Sequence, residues 1–234
     1  MVTHAVVSQD EWIEARKRFL AKEKEFTRLR DELNQARREL PWERVDKPYV
    51  FDGPNGKETL ADLFAGHHQL IVQHFMFDPS WNAACKSCSF WADGYNGFFP
   101  HLAHRDVAFV AVSLAPYAKL KAFQERMGWK FKWLSSQGND FNLDYHVSET
   151  AEEKAKGEAY YNYRIAKSFG ERAGTSVFYR DDDGAIFHTY SCYARGLDMV
   201  NAAYHYLDLT PMGRQEDGLS YPQAWVRLHD EYAP

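Results

Sequence analysis

Two of the three cysteines stand close together, in the sequence Cys85-Lys86-Ser87-Cys88. On one helical turn, two cysteines at this spacing are near enough to form a disulfide with little movement of the backbone. In a chain with few cysteines, such a pair more often carries out redox chemistry or binds metal than staples a scaffold. The pattern therefore predicts a dithiol that interconverts with a disulfide.

The position of the pair predicts different roles for the two sulfurs. A polar linker separates the pair from an apolar segment that ends at Phe77, and a helix beginning near Ala84 would place Cys85 in its first turn. Free amides and the positive end of the helix dipole stabilise a thiolate there, and Lys86 adds positive charge. We predict that Cys85 is the catalytic nucleophile and that Cys88, facing the core, is the resolving thiol.

Two other interpretations of the pair stay open, namely two inert buried cysteines or half of a zinc site. The zinc interpretation is weak because only Cys192 remains as a further sulfur, so histidines would have to complete the site. We expect Cys192 itself to be a small buried apolar residue. The prediction for the site is therefore redox chemistry without a bound metal or cofactor.

The segments around the pair predict alternating strands and helices. Apolar segments at 69–77, 107–112 and 130–134 predict strands. A helix carries the cysteines, with Gly94 and Gly97 marking a kink, and a second helix begins at Pro116. Residues 176–179 and 185–190 flank a turn of three aspartates and a glycine, which predicts a hairpin, and a last helix covers about 199–207.

This order predicts an α/β, thioredoxin-like fold. Parallel strands joined through a helix, with an antiparallel hairpin added to one edge, form a mixed sheet that helices flank on both faces. We assign residues 45–234 to this domain. Residues 137 to about 165 are polar and aromatic without clear periodicity, so we expect an insertion or long loop there.

Residues 1–44 predict an N-terminal amphipathic helical extension. Ser8 and Glu11 have the spacing of a capping box, and the long helix should end at Pro41. Apolar residues recur every seven positions along it, at Trp12, Phe19, Phe26, Leu33 and Leu40. This stripe either packs on the parent domain or forms the interface of a homodimer, and we expect the dimer.

Three strings resemble a bacterial thioredoxin-like family that was long catalogued as a domain of unknown function and is described as predicted dithiol-disulfide oxidoreductases. They are His74-Phe75-Met76-Phe77 with Trp81 and the cysteine pair, Ser176-Val177-Phe178-Tyr179-Arg180-Asp181 with Phe187-His188-Thr189-Tyr190-Ser191, and Ala194-Arg195-Gly196-Leu197-Asp198. The resemblance covers most of the chain. It implies the thioredoxin-like fold and Cys85 and Cys88 as the active site, and we expect Trp81 to support them.

Two features depart from ordinary thioredoxins. Their active site has the sequence Trp-Cys-Gly-Pro-Cys, whereas Ala84 precedes Cys85 here and the middle residues are Lys86 and Ser87. Thioredoxins also place a cis-proline opposite the dithiol, where this chain has Gly174-Thr175-Ser176. We expect this loop, with Thr175 as a supporting residue, to face Cys85 across the mouth of the site.

Two further functions of the same fold are weighed against disulfide exchange. Peroxiredoxins carry a threonine three residues before the reactive cysteine and a proline seven before it, and Asn82 and Asp78 stand at these positions here. A metal-binding or carrier module would use Cys85, Cys88 and His188, which lies on the predicted hairpin. Both functions stay open as alternatives.

Composition limits the partners. The net charge of -5 at pH 7 gives no electrostatic reason to expect nucleic acid or an anionic membrane. The first residues lack a basic start followed by an apolar stretch, so we expect no secretory signal and a cytoplasmic location. The expected partner is a protein or small-molecule disulfide or thiol.

Overall fold

The computed structural model describes residues 4–232. Contacts between residues divide the chain into two units, one that ends at Pro41 and one that begins at Trp42. Throughout the described part of the chain, no helix combines the length and the apolar composition needed to cross a membrane.

The first unit contains helix α1 (Gln9–Arg38). The predicted capping box is confirmed, because the Glu11 amide donates to the Ser8 hydroxyl at 3.3 Å and the Ser8 amide donates to the Glu11 carboxylate at 3.0 Å. No residue of α1 is buried, and Trp12 and Phe26 on its apolar stripe are more than half exposed. The homodimer through this stripe stays a prediction.

The second unit contains a large sheet and shorter helices. Its strands are β1 (Glu43–Arg44), β2 (Val50–Gly53), β3 (Gly56–Thr59), β4 (Gln69–His74), β5 (Val107–Ser113), β6 (Lys132–Ser135), β7 (Glu158–Tyr161), β8 (Arg164–Lys167), β9 (Gly174–Arg180) and β10 (Ile186–Tyr193). Its α-helices are α2 (Leu60–Leu63), α3 (Lys86–Ala92), α4 (Tyr95–Ala103), α5 (Tyr117–Met127), α6 (Phe141–Asp144), α7 (Ala151–Lys156) and α8 (Ala202–Asp208). Ala194–Val200 and His229–Glu231 form 3₁₀ helices.

Eight strands form one mixed sheet in the order β1-β10-β9-β4-β5-β6-β2-β3. Strands β4, β5 and β6 run parallel, β9 pairs antiparallel with β4, and β10 pairs antiparallel with β9. The chain passes from β4 to β5 through α3 and α4, so the cysteine-bearing helix is the crossover between two central parallel strands. The fold is a thioredoxin-like mixed sheet flanked by helices and preceded by a long N-terminal helix, as the sequence predicted.

Each face of the sheet has its own apolar core, because successive side chains of a strand point to opposite faces. Leu70 and Val72 of β4 pack with Phe178 in one core. Cys88 packs with Trp91 and Trp133 in the other. The dithiol therefore belongs to the face that α3 and α5 cover.

The structure defines two segments that the sequence left open. The segment that carries the cysteines is divided into α3 and α4, and Gly94, one of the two glycines that marked a kink, is the N-cap of α4. The segment 137–165 is not an irregular loop, because it contains α6, α7 and most of the β7–β8 hairpin. Only short patterns in the sequence mark these elements. Thr150 and Glu153 form a capping box at the start of α7, and Gly157 ends α7 in the left-handed conformation.

Candidate active site

Hydrogen bonds attach the dithiol motif to the chain that leaves β4. The Cys85 amide donates to the Met76 carbonyl at 3.1 Å, and the Met76 amide donates to the Cys88 sulfur. Cys85 is the N-cap of α3, and the amide and hydroxyl of Ser89 both donate to its carbonyl oxygen at 2.9 Å. Cys85 therefore stands at the start of α3, close to the helix start near Ala84 that the sequence predicted, and Cys88 lies in the first turn.

The sulfur of Cys85 accepts several hydrogen bonds that stabilise its thiolate. The Cys88 thiol donates to it, and so do the backbone amides of Cys88 and Ser87 and the Ser87 hydroxyl. Burial opposes these donors because it penalises the charged form, but the donors prevail and lower the pKa of Cys85 to about 6. Cys85 is partly exposed, whereas Cys88 is buried.

Cys88 has the opposite environment. It is 5% exposed, and its side chain donates to Cys85. This hydrogen bond and burial raise the pKa of Cys88 well above that of an ordinary thiol. The two sulfurs thus differ in ionisation and access in the direction that the sequence predicted.

Lys86 has a different environment from the one expected. Its ammonium donates to the Ala224 carbonyl at 3.2 Å and lies 5.7 Å from the centre of the Tyr221 ring. The side chain therefore attaches α3 to the C-terminal tail. The donors that lower the pKa of Cys85 most are those of Cys88 and Ser87.

The two other predicted supporting residues do not line the cavity at the dithiol. Trp81 packs against the apolar core on the dithiol face. Its amide donates a hydrogen bond to the Asp78 carbonyl at 3.0 Å, which forms a turn. Residues 174–176 are not a loop as predicted, because they begin strand β9. Thr175 donates to the Gln73 side chain at 2.7 Å, and it is Gln73 and Ala173 that line the cavity.

His188 lies on the other face of the sheet. Its ring packs against Tyr145 and Phe178, and its Nε2 is 2.7 Å from the Ser191 hydroxyl. Within residues 4–232, no group of three or more histidine, cysteine, aspartate or glutamate side chains is arranged to hold a metal ion. The metal site of Cys85, Cys88 and His188 that the sequence left open is therefore wrong.

A cavity of about 560 Å³ opens at the dithiol. Cys85, Ser87 and Cys88 form part of its lining. The rest of the wall comes from distant segments: Tyr161 of β7, the residues ahead of β9, the 3₁₀ helix after β10, and Tyr221 and Gln223 of the tail. Cys192 is partly buried and does not line the cavity.

Sequence reasoning missed Glu171 and Arg172, which also line this cavity. Glu171 is 4% exposed, and Ser148 donates to its carboxylate at 2.5 Å. Burial outweighs this hydrogen bond and raises the pKa of Glu171 to about 7. No local pattern marks these residues, since they follow Gly170 in a stretch without periodicity.

Glu171 should make stability depend on pH. Its folded pKa of about 7 exceeds its ordinary value of 4.5, so the folded chain binds the extra proton and stability falls as pH rises through this window. The full effect is on the order of 3 kcal/mol. We expect the Glu171→Gln variant to lose this dependence in urea unfolding curves between pH 5 and pH 8.

Glu149→Gln is the matched control, because Glu149 is also buried and its pKa is shifted in the other direction. Burial alone would raise that pKa, but donors from Ser168, Phe169 and Gly170 lower it. Glu149 therefore stabilises the fold above pH 4.5, and this contribution is lost as pH falls. If Glu171→Gln keeps the pH profile of the parent chain, the raised pKa of Glu171 is contradicted.

Comparisons with known proteins give one family and several distant structures. The model of a bacterial protein family of unknown function, DUF899, matches residues 1–232. Peroxiredoxin Q from Xanthomonas campestris is 16% identical with a TM-score of 0.44, over 70% of this chain and 95% of that one. Peroxidoxin BcpB from Mycobacterium tuberculosis is 13% identical with a TM-score of 0.41, over 72% and 97%. No curated protein matches this chain.

Proposed function

This chain belongs to the bacterial protein family of unknown function DUF899, and we propose that it is a thiol-disulfide oxidoreductase. Cys85 is the nucleophile and Cys88 is the resolving thiol. The observation that carries the proposal is the set of hydrogen bonds from Cys88 and Ser87 to the Cys85 sulfur, which lower the pKa of Cys85 to about 6. A lowered pKa and partial exposure are the properties of a reactive cysteine.

The reaction proceeds in two exchange steps. The Cys85 thiolate attacks one sulfur of a disulfide, a bond forms between them, and the other sulfur leaves as a thiolate. Cys88 then loses its proton and attacks Cys85, which breaks the mixed disulfide and releases the second thiol. The substrate gains two electrons, and Cys85 and Cys88 lose two as they become a disulfide.

The hydrogen bonds support this order of events. Ionised Cys85 is stabilised by the Cys88 thiol, and that stabilisation ends when Cys85 becomes part of a mixed disulfide. The charge of Cys85 also contributes to the high pKa of Cys88, so the first step removes one of the causes that keep Cys88 protonated. The resolving thiol thus becomes easier to ionise at the stage where it must react.

The test is to block free thiols and locate them by peptide mass spectrometry, before and after equilibration with oxidised and reduced glutathione. We expect Cys85 and Cys88 to be alkylated in the reduced sample and joined to each other in the oxidised one. Cys192 serves as the internal control, because it does not line the cavity and should be alkylated to the same extent in both. A pair that never forms the disulfide under oxidising conditions overturns the proposal.

A hydroperoxide added in place of the disulfide tests whether the protein is a peroxidase instead. A peroxidase would convert Cys85 to a sulfenic acid before Cys88 condenses with it. Asn82 and Asp78 stand where the peroxiredoxin pattern has threonine and proline. We therefore expect cumene hydroperoxide to oxidise the pair more slowly than a disulfide does at equal concentration.

A further inference from the structure

The cavity at the dithiol has walls from several distant parts of the chain. Besides the motif, the cavity is lined by Tyr161 of the β7–β8 hairpin, by Leu197 after β10 and by Tyr221 of the tail. Its volume of about 560 Å³ falls within the range of sites that hold small molecules, roughly 300 to 1,000 Å³. A folded protein would have to present its disulfide through this opening.

Two backbone groups in the wall beside the dithiol are already bonded within the chain. The Tyr161 hydroxyl donates to the Ala173 carbonyl at 2.7 Å and accepts from the Ala194 amide at 3.0 Å. Strand β9, which begins next to Ala173, is paired with β4 on one side and β10 on the other. An extended peptide binds by adding to free backbone groups at the edge of a sheet, and strand β9 beside the dithiol offers it no such edge.

The side chains of the cavity suit an apolar ligand. Met76, Trp91, Phe169 and Leu197 are part of the lining. The Arg172 guanidinium lies 4.7 Å from the ring centres of both Tyr161 and Phe169, which fixes the aromatic side of the cavity. Ligand sites commonly combine such apolar walls with a few polar groups.

We propose that the dithiol reduces low-molecular-weight organic disulfides with apolar substituents, admitted to this cavity, and does not reduce disulfides of folded proteins. The inference rests on the proposed function. In one turnover the disulfide becomes two thiols, and Cys85 and Cys88 become a disulfide.

The experiment is a single turnover of the reduced full chain, with 2,2′-dithiodipyridine as the small disulfide and insulin as the protein disulfide. Each rate is divided by the rate at which free dithiothreitol reduces the same compound, because the two disulfides differ in intrinsic reactivity. We expect the normalised rate to favour the small disulfide by about tenfold or more, the factor that corresponds to about 1.4 kcal/mol.

Phe169→Ala tests whether the cavity itself is responsible. Phe169 is 69% exposed, so its removal should leave the fold intact while reducing the apolar wall. We expect the normalised rate with dithiodipyridine to fall several-fold and the slow reaction with insulin to stay the same. Ile165→Ala is the matched control, because Ile165 is 63% exposed on the neighbouring strand β8 and does not line the cavity.

The outcomes separate this inference from the proposed function. A normalised rate with insulin that equals or exceeds the rate with dithiodipyridine overturns the substrate class and leaves the oxidoreductase intact. An unchanged rate in Phe169→Ala also overturns it. If neither compound oxidises the pair, the oxidoreductase itself fails, and this inference fails with it.

Discussion

A Cys88→Ser variant is expected to accumulate a mixed disulfide on Cys85 when it meets a small organic disulfide, and a Cys85→Ser variant to accumulate none. At pH 7 a thiol with the Cys85 pKa of about 6 is mostly ionised. The Cys85→Ser variant lacks the charge of Cys85, but Cys88 stays buried at 5% exposed and burial still raises its pKa, so its attack should be slower by about tenfold or more. Intact-mass spectrometry detects the adduct directly.

Cys192→Ser is the control for this pair of variants, because Cys192 lies outside the cavity lining. It should behave as the parent chain does, forming the internal disulfide without a lasting adduct. Adducts that form at similar rates on the remaining motif cysteine of Cys85→Ser and of Cys88→Ser would contradict the assignment of the two roles.

Alkylation of Cys85 by iodoacetamide should have its midpoint near pH 6, because the thiolate is the reacting form and its fraction rises with pH through the pKa. At pH 6 the thiolate fraction exceeds that of an ordinary thiol about a hundredfold. A thiolate of lower pKa is also a weaker nucleophile, and this lowers the alkylation rate of each thiolate by about tenfold. The net gain at pH 6 is therefore about tenfold, measured by quantifying the alkylated peptide against time.

Variants at position 88 separate the causes of this shift. The largest of them is the hydrogen bond from the Cys88 side chain. Serine can still donate to Cys85, whereas alanine cannot, so the midpoint should lie higher in Cys88→Ala than in Cys88→Ser. Midpoints that coincide with the parent value in both variants would exclude Cys88 as the cause, and a midpoint above pH 8 in the parent chain would exclude a reactive Cys85.

The sequence by itself predicted the parts of this protein that local patterns encode. The capping box at Ser8 specified the start of α1, and the continuous apolar run of β5 specified a strand buried on both faces. The turn before Ala185 specified the β9–β10 hairpin. The position of the cysteine pair just after a buried strand predicted that the dithiol lies at the start of a helix. This prediction was possible because the start of a helix and the two residues between the cysteines are both local features of the sequence.

The environment of the dithiol was decided by tertiary structure. Lys86 follows Cys85 directly, yet its ammonium bonds to Ala224 near the end of the chain. Thr175 was expected at the mouth of the site, but it bonds to Gln73 within the sheet, and its neighbour Ala173 lines the cavity instead.

Glu171, Arg172 and Tyr161 reach the cysteines only because the segment between β6 and β9 folds back onto the dithiol face. Periodicity and caps report which backbone conformation a segment prefers, since they act over one or two turns. Contacts between residues far apart in the chain depend on how the elements pack, and no short pattern records them. The hydrogen bonds that lower the pKa of Cys85 were therefore determined locally, whereas the burial of Cys88 and the shape and charge of the cavity were determined by the packing of the whole domain.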